Sequence, residues 1–586
     1  MSVESRAPVE GLILTLVLAA PILVAFNAPP ATTLVNQLLA AAGWGTVCML
    51  KGAAPMQTLR ARPATVLLIA LAGLCAAVVW SWHQSLPFGL AVQALGSLLM
   101  AAGLVALASQ PGAAAAPRVQ SDGHTFAGAM LVVASLSAVL ACVQVFAPEW
   151  VDGTFIAALN PDYAGRAVGN LRQPNHLSSV LLWGLVAWVP MAHTKRWFGR
   201  RVSWLAAAPI GALLILALVL TASRTGALGL FVLAIWGAAD RRLDGKVRIG
   251  LLASPLMYLA CWCLVAWWAR WTGYFFWGEV RMGEGGAQAL ATSRYELWHN
   301  ALTLIQSHPW RGTGFGEFGM AWMLTPFSDR SGELFDHAHN LPLHLAVELG
   351  LPGALLLMSL LGWAIWQAAK RTWRTAGDEG VAARAVFMML LVIGLHSLLE
   401  YPLWYNYFLF PTAWAWGLCL RQPINTAVSP TEQAHPKVGV VASGLVMVAG
   451  SLWLQWDYRS VAAIYQPSDS TLTQAQRISR GQSSVVFSYF ADYAAALKAE
   501  PPAPAMALFS NAAPVMLDPP LMKAWANALD AAGQTDKAHY LAERLREFPD
   551  SESQAFFSQC SNSAVATKPF QCEPSSQPHT WKEFLR

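Results

Sequence analysis

The fold class this sequence predicts is an all-α polytopic membrane protein of about 13 transmembrane helices, with a large loop on its outer face and a soluble helical domain after the last span. Three observations predict it. The 586-residue chain is 55% apolar and 12% charged, with a mean hydropathy of +0.41, too hydrophobic for an ordinary soluble protein. Its apolar runs are continuous, rich in Leu, Ala and Val, and about twenty residues long, without the alternation of a membrane barrel. Each run therefore satisfies its own backbone as a helix. Finally, basic residues segregate to one side of the proposed spans.

The spans centre near residues 18, 40, 73, 98, 136, 184, 211, 232, 258, 355, 391, 411 and 447. The first, 11–26, could pass for a signal peptide, but it lacks a small-x-small cleavage site and leads straight into a second span, so it is read as a membrane helix. With the N-terminus inside, the connections at 51–63, 110–125, 194–202, 240–248, 370–384 and 421–437 hold eighteen lysines and arginines, among them Arg60, Arg62, Arg118 and Arg384. The short outer connections near 29, 85, 223 and 402 hold one, Arg224. One span more or fewer would scramble this asymmetry. The net charge of +5 is thus a consequence of topology and gives no reason to expect nucleic acid.

Three segments follow: N-terminal helices over 1–125, a membrane core over 126–456 that includes the outer loop 270–340, and a helical domain over 457–586. In the last, helical patterning at 474–498 precedes a proline-rich connector at 500–504 and a helix pair at 520–548. That pair resembles a single tetratricopeptide unit, with Gly533 at the turn, Ala538 at the close contact and Pro549 at the end. Six cysteines lie in or beside apolar runs as small hydrophobes. Cys560 and Cys572 are polar-region cysteines expected to pair if the tail is extracytoplasmic, and the Ser/Gln/Pro-rich end is otherwise expected to be poorly ordered.

This layout puts every unusual polar cluster on the outer face. The densest is 293–353, with three arginines and five histidines between two apolar segments. Arg294 opens a helical pattern there, and 308–316, HPWRGTGFG, has glycine spacing that can present backbone N–H groups to phosphate beside Arg294 and Arg311. It is no Walker loop, because no strand precedes it and no Gly-Lys-Ser/Thr closes it. Asp336-His337-Ala338-His339-Asn340 follows. His337 and His339 face the same way in an extended segment, which suits a metal, but no further ligand stands at the right spacing. The other readings are His339 as a base or hydrogen-bond partner and Asn340 as a helix cap.

Three more clusters accompany it. In 166–176, RAVGNLRQPNH, Asn175 or His176 could cap a helix starting at Leu177, which leaves Arg172 and Gln173 unexplained. Arg224, in Ser-Arg-Thr-Gly, is either snorkelling or paired with an anion, and the glycine favours the anion. At 396–405, Glu400 is costly at a membrane edge unless partnered, whereas Tyr401, Trp404 and Tyr405 could equally form an aromatic belt.

These residues resemble a known pattern. Arg224 in S-R-T-G, Arg294 and Arg311, and His339-Asn340 followed by Gly350-Leu-Pro-Gly353 are similar to the O-antigen ligase and polymerase superfamily. RQPNH, HSLLEYPLW and the soluble tail look like its PglL-type protein O-oligosaccharyltransferase branch. The resemblance runs from about 125 to 545. It implies a GT-C-like, metal-independent glycosyltransferase of the bacterial inner membrane, with no cofactor and with its site and tail in the periplasm. The donor would be a glycan on undecaprenyl pyrophosphate, and the acceptor a serine or threonine of an exported protein such as a type IV pilin. By motif match His339 takes the essential histidine role, Arg224 with Arg294 or Arg311 the pyrophosphate contacts, and Gln173 a polar role; Tyr401 and Tyr405 are alternatives for a further tyrosine. Arg172, Asn175, His176, His337, Asn340 and Glu400 complete the expected substrate site. An O-antigen ligase or polymerase would share the donor chemistry. A lipid or polysaccharide transporter would instead carry charges at mid-membrane depth and inverted repeats.

Overall fold

A computed structural model of the protein describes residues 3–53, 64–110, 122–159, 165–198, 200–282, 284–328, 330, 332–421, 437–467, 471–498, 506–548, 551–561 and 568–585. Arg60, Arg62, Arg118, the 500–504 connector and Pro549 lie outside the described residues. The helices of the membrane region are α1 (Val3–Leu23), α2 (Leu34–Ala53), α3 (Thr65–Gln84), α4 (Phe88–Ala108), α5 (Asp122–Phe146), α6 (Pro174–Thr194), α7 (Trp204–Leu220), α8 (Arg224–Ala239) and α9 (Gly245–Thr272). The loop contributes α10 (Trp277–Met282), α11 (Glu284–Ser307) and α12 (Phe318–Leu324). Then come α13 (Leu341–Arg374), α14 (Gly377–Ser397), α15 (Asn406–Cys419) and α16 (Val438–Tyr465). The tail adds α17 (Gln474–Gln482), α18 (Ser488–Ala496), α19 (Met506–Ala512), α20 (Pro519–Ala531), α21 (Thr535–Arg546) and α22 (Ser551–Phe557).

A helix covers each predicted span centre. Among the described residues, eight helices are long and apolar enough to cross a bilayer: α3, α4, α5, α6, α9, α13, α14 and α16. The protein is therefore a multi-pass, all-α membrane protein. Residues 9–23, α7 and α8 are apolar but shorter.

The bundle is built around α6, 89% of whose span is buried, packed on α14. Trp183 donates to the Met389 carbonyl at 2.9 Å and the Ser179 hydroxyl meets His396 Nδ1 at 2.7 Å, so two polar contacts hold the register of these apolar helices. Small residues let α2 and α16 touch. A Cβ on Gly45 would lie 2.9 Å from the Gly444 carbonyl oxygen, and one on Gly444 would lie 2.4 Å from that of Gly45. At the bundle end opposite the site, Arg384 pairs with Asp240 at 2.5 Å, both fully enclosed, and Asp122 receives Arg421 at 2.5 Å and Lys51 at 3.5 Å.

At the other end, α11, α12 and the first turns of α13 share one apolar core with the tail, through Leu297, Phe318, Trp322, Val347, Phe509, Trp525 and Leu541. Tyr540 donates to the Leu324 carbonyl at 2.6 Å and the Arg330 guanidinium pairs with Glu547. Asp457, buried about two turns before the end of α16, accepts from Ser484 at 2.7 Å and from the Val485 and Val486 amides at 3.1 Å, anchoring the start of the tail. The α20–α21 pair turns at Gly533, whose φ of +76° suits glycine, and Cys560 is bonded to Cys572. The end of the chain departs from expectation. Residues 568–585 are ordered against the tail core, because Trp581 and Phe584, each 3% exposed, pack there and His579 bridges Asp536 and Glu583 at 2.8 Å. Composition had masked those two aromatic anchors.

Candidate active site

The start of α6 sets the first wall of the site. Pro174 begins the helix, and Gln173 Oε1 accepts the His176 N–H at 2.6 Å, so the cap is Gln173 and not Asn175 or His176 as expected. A proline at the first helical position moves the helix start upstream, which turns Asn175 inward. The approach to α6 is pinned by Gln144, fully buried in α5. Its carbonyl oxygen accepts the Val168 and Gly169 amides at 3.1 and 2.8 Å, and its amide donates to Ala157 and Gly169 at 3.1 and 3.3 Å. Arg172 has a left-handed backbone, φ +57°, and its guanidinium donates to the Ala25 carbonyl between α1 and α2.

The second wall is the turn before α8. Ser223 caps this helix by accepting from Gly226 at 3.2 Å, and its hydroxyl donates to Asn175 Oδ1 at 2.7 Å. Arg224 is thereby the first residue of a helix whose N-terminus adjoins Asn175, and its side chain is exposed. That helix end favours negative charge in the same place as the arginine does.

Glu400, beyond the end of α14 and 7% exposed, is where these walls meet the loop. Oε1 accepts from Asn175 Nδ2 at 2.9 Å and from Arg294 Nη2 at 3.1 Å, while Oε2 lies 3.2 Å from His339 Nδ1. Burial alone would raise the carboxyl pKa; the contact with His339, then the charges of His339 and Arg294, outweigh it and bring the group down to about 2. It is an anion at any physiological pH.

His339 sits at φ +50°, a left-handed conformation that costs a non-glycine residue about 1–2 kcal/mol. The turn is held open from three directions. Trp298 of α11 donates to the Ala338 carbonyl at 3.0 Å, Asn340 caps α13 by accepting from Leu343 at 3.1 Å, and its amide donates to Leu398 at 3.1 Å. With Nδ1 turned to Glu400, Nε2 is the ring atom left for a substrate; the His339 side chain is 17% exposed. Tyr401 lies between the two histidines of the turn, stacked on His337 at 4.1 Å and edge-on to His339 at 4.9 Å. Tyr405 packs on His176 at 4.6 Å and is hydrogen-bonded to Tyr401, so the fold brings both tyrosines to the cluster. Burial, then Asp336, Tyr405 and Glu400, hold the Tyr401 hydroxyl well above the ordinary phenol range, which makes it a hydrogen-bond donor. Among the described residues, no three His, Cys, Asp or Glu side chains are grouped to hold a metal ion.

The glycine loop does not present its amides to a ligand. Thr313 and Gly314 donate to the Val347 and Glu348 carbonyls at 2.8 and 3.0 Å, Gly316 donates to Glu348 Oε1 at 2.9 Å, and Leu351 donates back to Pro309 at 2.8 Å. The phosphate-cradle expectation fails because α13 breaks at Gly350, φ +71°, and the carbonyls that the break frees from helical bonding take up the loop amides. A Cβ at Gly350 would meet Trp310 backbone at 2.6 Å, so the glycines serve this docking. Arg311 is an exposed residue of the docked loop, against Gly350, about 15 Å along α13 from Asn340 at 1.5 Å per residue.

Comparison with known proteins divides along these walls. Residues 167–189, the capped entry to α6, match the protein glycosylation ligase family; 209–358, from α7 through His339 to the Gly350 break, match the O-antigen ligase family; and 384–560, with Glu400 and the tail, match the C-terminal part of the virulence factor membrane-bound polymerases. These matches make the chain similar to the O-antigen ligases and, at the entry to α6, to the protein glycosylation ligases. It is 27% identical over 344 residues to the general O-oligosaccharyltransferase of Acinetobacter baylyi, 57% of each chain, and 24% identical over 325 residues to the ComP-specific O-oligosaccharyltransferase of the same organism, 55% of each. The chain thus spans little more than half the length of these relatives.

In this chain, Asn175, Arg294, His339 and Glu400 are joined directly, and His176, His337, Tyr401 and Tyr405 line the same cluster through ring contacts. Gln173, Arg172 and Asn340 hold backbone, and Arg311 stands apart. Sequence reasoning missed Gln144, Ser223, His344 and Glu348. Ser223 had a usable signal, a Ser at a helix start; a lone buried Gln inside an apolar run gives none.

Proposed function

We propose that the chain transfers an assembled glycan from an undecaprenyl pyrophosphate carrier to a serine or threonine hydroxyl of an exported protein, pilin being one candidate, at the periplasmic face of the bacterial inner membrane. The observation that carries this reading is the Glu400–His339 pair, 3.2 Å apart, with Arg294 on the same carboxylate. Glu400 holds the proton of a neutral imidazole on Nδ1, leaving the Nε2 lone pair to accept a proton. The acceptor oxygen forms the new bond to the anomeric carbon from the side opposite the pyrophosphate, its proton passes to Nε2, and the carbon–oxygen bond to pyrophosphate breaks with inversion. Arg224, at the N-terminus of α8, and Arg294, which keeps further N–H donors beyond the one on Glu400, stabilise the charge that gathers on the leaving group. Arg311 would meet the donor farther out. Tyr401 and Tyr405, backed by the buried His176, form an aromatic wall on which a sugar can pack.

Thirteen spans with a cytoplasmic N-terminus would put this site and the tail on the periplasmic side, and the carrier's lipid chain between helices in the bilayer. Similarity to two O-oligosaccharyltransferases, one of them named for a single protein acceptor, supports a protein acceptor over lipid A core. A lipopolysaccharide ligase is the second reading, favoured by the O-antigen ligase match over 209–358. An in vitro assay decides between them: purified protein, lipid-pyrophosphate-linked glycan, and pilin or lipid A core, with chelator present. Glycan on pilin, absent with His339→Ala, is the expected result. Transfer only to lipid A core would make the acceptor a lipid, and lipid moved across vesicles without transfer would make the protein a transporter.

A further inference from the structure

Behind the His339–Glu400 pair stands a second carboxylate–imidazole pair with no part in the steps above. His344 and Glu348 lie one turn apart on α13, each 3% exposed. His344 Nδ1 accepts the N–H of Ala338, the residue immediately before His339, at 3.4 Å. A neutral imidazole that accepts at Nδ1 carries its proton on Nε2, and that atom lies 3.3 Å from Glu348 Oε1. The same oxygen receives the Gly316 and Phe318 amides of the glycine loop at 2.9 and 3.4 Å. The His344 ring is nearly parallel to that of His337, 5.1 Å away, and His337 stacks on Tyr401. Trp404 closes the edge of both histidines, at 4.9 and 5.0 Å.

We infer that His344 is a positioning residue for the transfer reaction, held by Glu348, which fixes the strained turn carrying His339 and, through His337, the plane of Tyr401. The inference rests on His339 acting as the base. The left-handed backbone at His339 persists only where its neighbours over-determine it. Trp298 holds the carbonyl of Ala338 and His344 takes its N–H, so the residue before the base is gripped through both of the peptide groups that flank it. Phenylalanine would fill the same space and keep the ring stack, but would leave the buried Ala338 N–H without its acceptor. Histidine at this position therefore reads as a demand for hydrogen bonding and not for volume.

The test uses the full chain in detergent, with lipid-pyrophosphate-linked glycan and a pilin acceptor, and measures kcat, donor KM and the thermal unfolding midpoint. The variants are His344→Phe, Glu348→Leu, Glu348→Gln and His339→Ala. Displacement of a reacting group by about 1 Å costs on the order of a hundredfold. His344→Phe and Glu348→Leu are expected to lose about ten- to a hundredfold in kcat with donor KM within about twofold, while Glu348→Gln, whose amide oxygen accepts the same N–H groups, keeps most of the activity. Wild-type kcat in His344→Phe, with His339→Ala inactive, overturns this inference and leaves the base assignment intact. Activity lost only in proportion to folded protein, or lost equally in Glu348→Gln, also overturns it. Transfer by His339→Ala would overturn the base assignment itself, and this inference with it.

Discussion

Asn175 and Glu400, 225 residues apart in the chain, are joined side chain to side chain at 2.9 Å, and through that bond the entry of α6 is fixed to the corner after α14. The opposite oxygen of Glu400 faces His339 at 3.2 Å. One buried carboxylate thus gathers the polar clusters of four distant segments, since Asn175 also carries Ser223 and Glu400 also carries Arg294.

If Glu400 sets the tautomer of His339, then Glu400→Gln is a sharp probe. An amide N–H turned toward Nδ1 would force the ring proton onto Nε2 and remove the base. Initial-rate measurements should give a kcat lower by about 10²–10⁴-fold, the usual contribution of general acid–base catalysis, with donor KM little changed. An undiminished kcat would refute this role for Glu400.

The arginines should not be equivalent. Arg294 shares Glu400 with the base, whereas Arg311 lies on the docked glycine loop. Arg294→Ala is expected to cost about 10²–10³-fold in kcat, as loss of a charge-stabilising donor does, and Arg311→Ala less than about tenfold. Equal losses would mean that the loop moves Arg311 to the reacting phosphates.

Glu317 predicts an alkaline weakness. It is 5% exposed and hydrogen-bonded by Ser85; burial pushes its carboxyl up to about 7, with Glu348 adding to the rise and Ser85 and Lys582 opposing it. An acid whose folded pKa is raised contributes stability that is fully present below its unfolded value, near 4.5, and is lost as pH rises through 7. The loss amounts to roughly 3 kcal/mol. Thermal midpoints of the detergent-purified protein should fall between pH 5 and pH 8 by more in wild type than in Glu317→Gln; parallel profiles would contradict this.

At the opposite end of the bundle, Arg384 is 1% exposed and its partner Asp240 3%. Arg384→Leu should destabilise by about 3–5 kcal/mol, because a buried carboxylate loses its counter-charge, and Asp240→Leu in the same chain should recover part of that. Unfolding midpoints of the two single variants and the double variant measure the coupling. Additive effects would show that the pair is solvated in the membrane.

Much of the fold was legible in the sequence because a bilayer imposes a length and a polarity on each helix, and each apolar run carries both. Parts of the site were legible for the complementary reason. Arg224, Arg294, Glu400 and the 336–340 turn stand out because charge at a membrane edge demands a partner. The reading went astray where local chemistry had two uses. The glycines of 312–316 looked like an anion cradle, yet their amides belong to the broken helix at Gly350. The chain end looked disordered, yet Trp581 and Phe584 anchor it.

The sequence by itself determined the membrane helices, the side on which the polar clusters lie if basic residues mark the cytoplasm, and the candidate residues of the site. Only the tertiary structure decided which of them meet: that Arg172 turns to Ala25 while Arg294 turns to Glu400, that Gln173 caps so that Asn175 can reach inward, and that His344 lies behind His337. The physical reason is range. Helix formation and capping depend on neighbours within a turn or two, whereas the partner of a buried charge is set by how whole helices pack, and that is written in no local pattern.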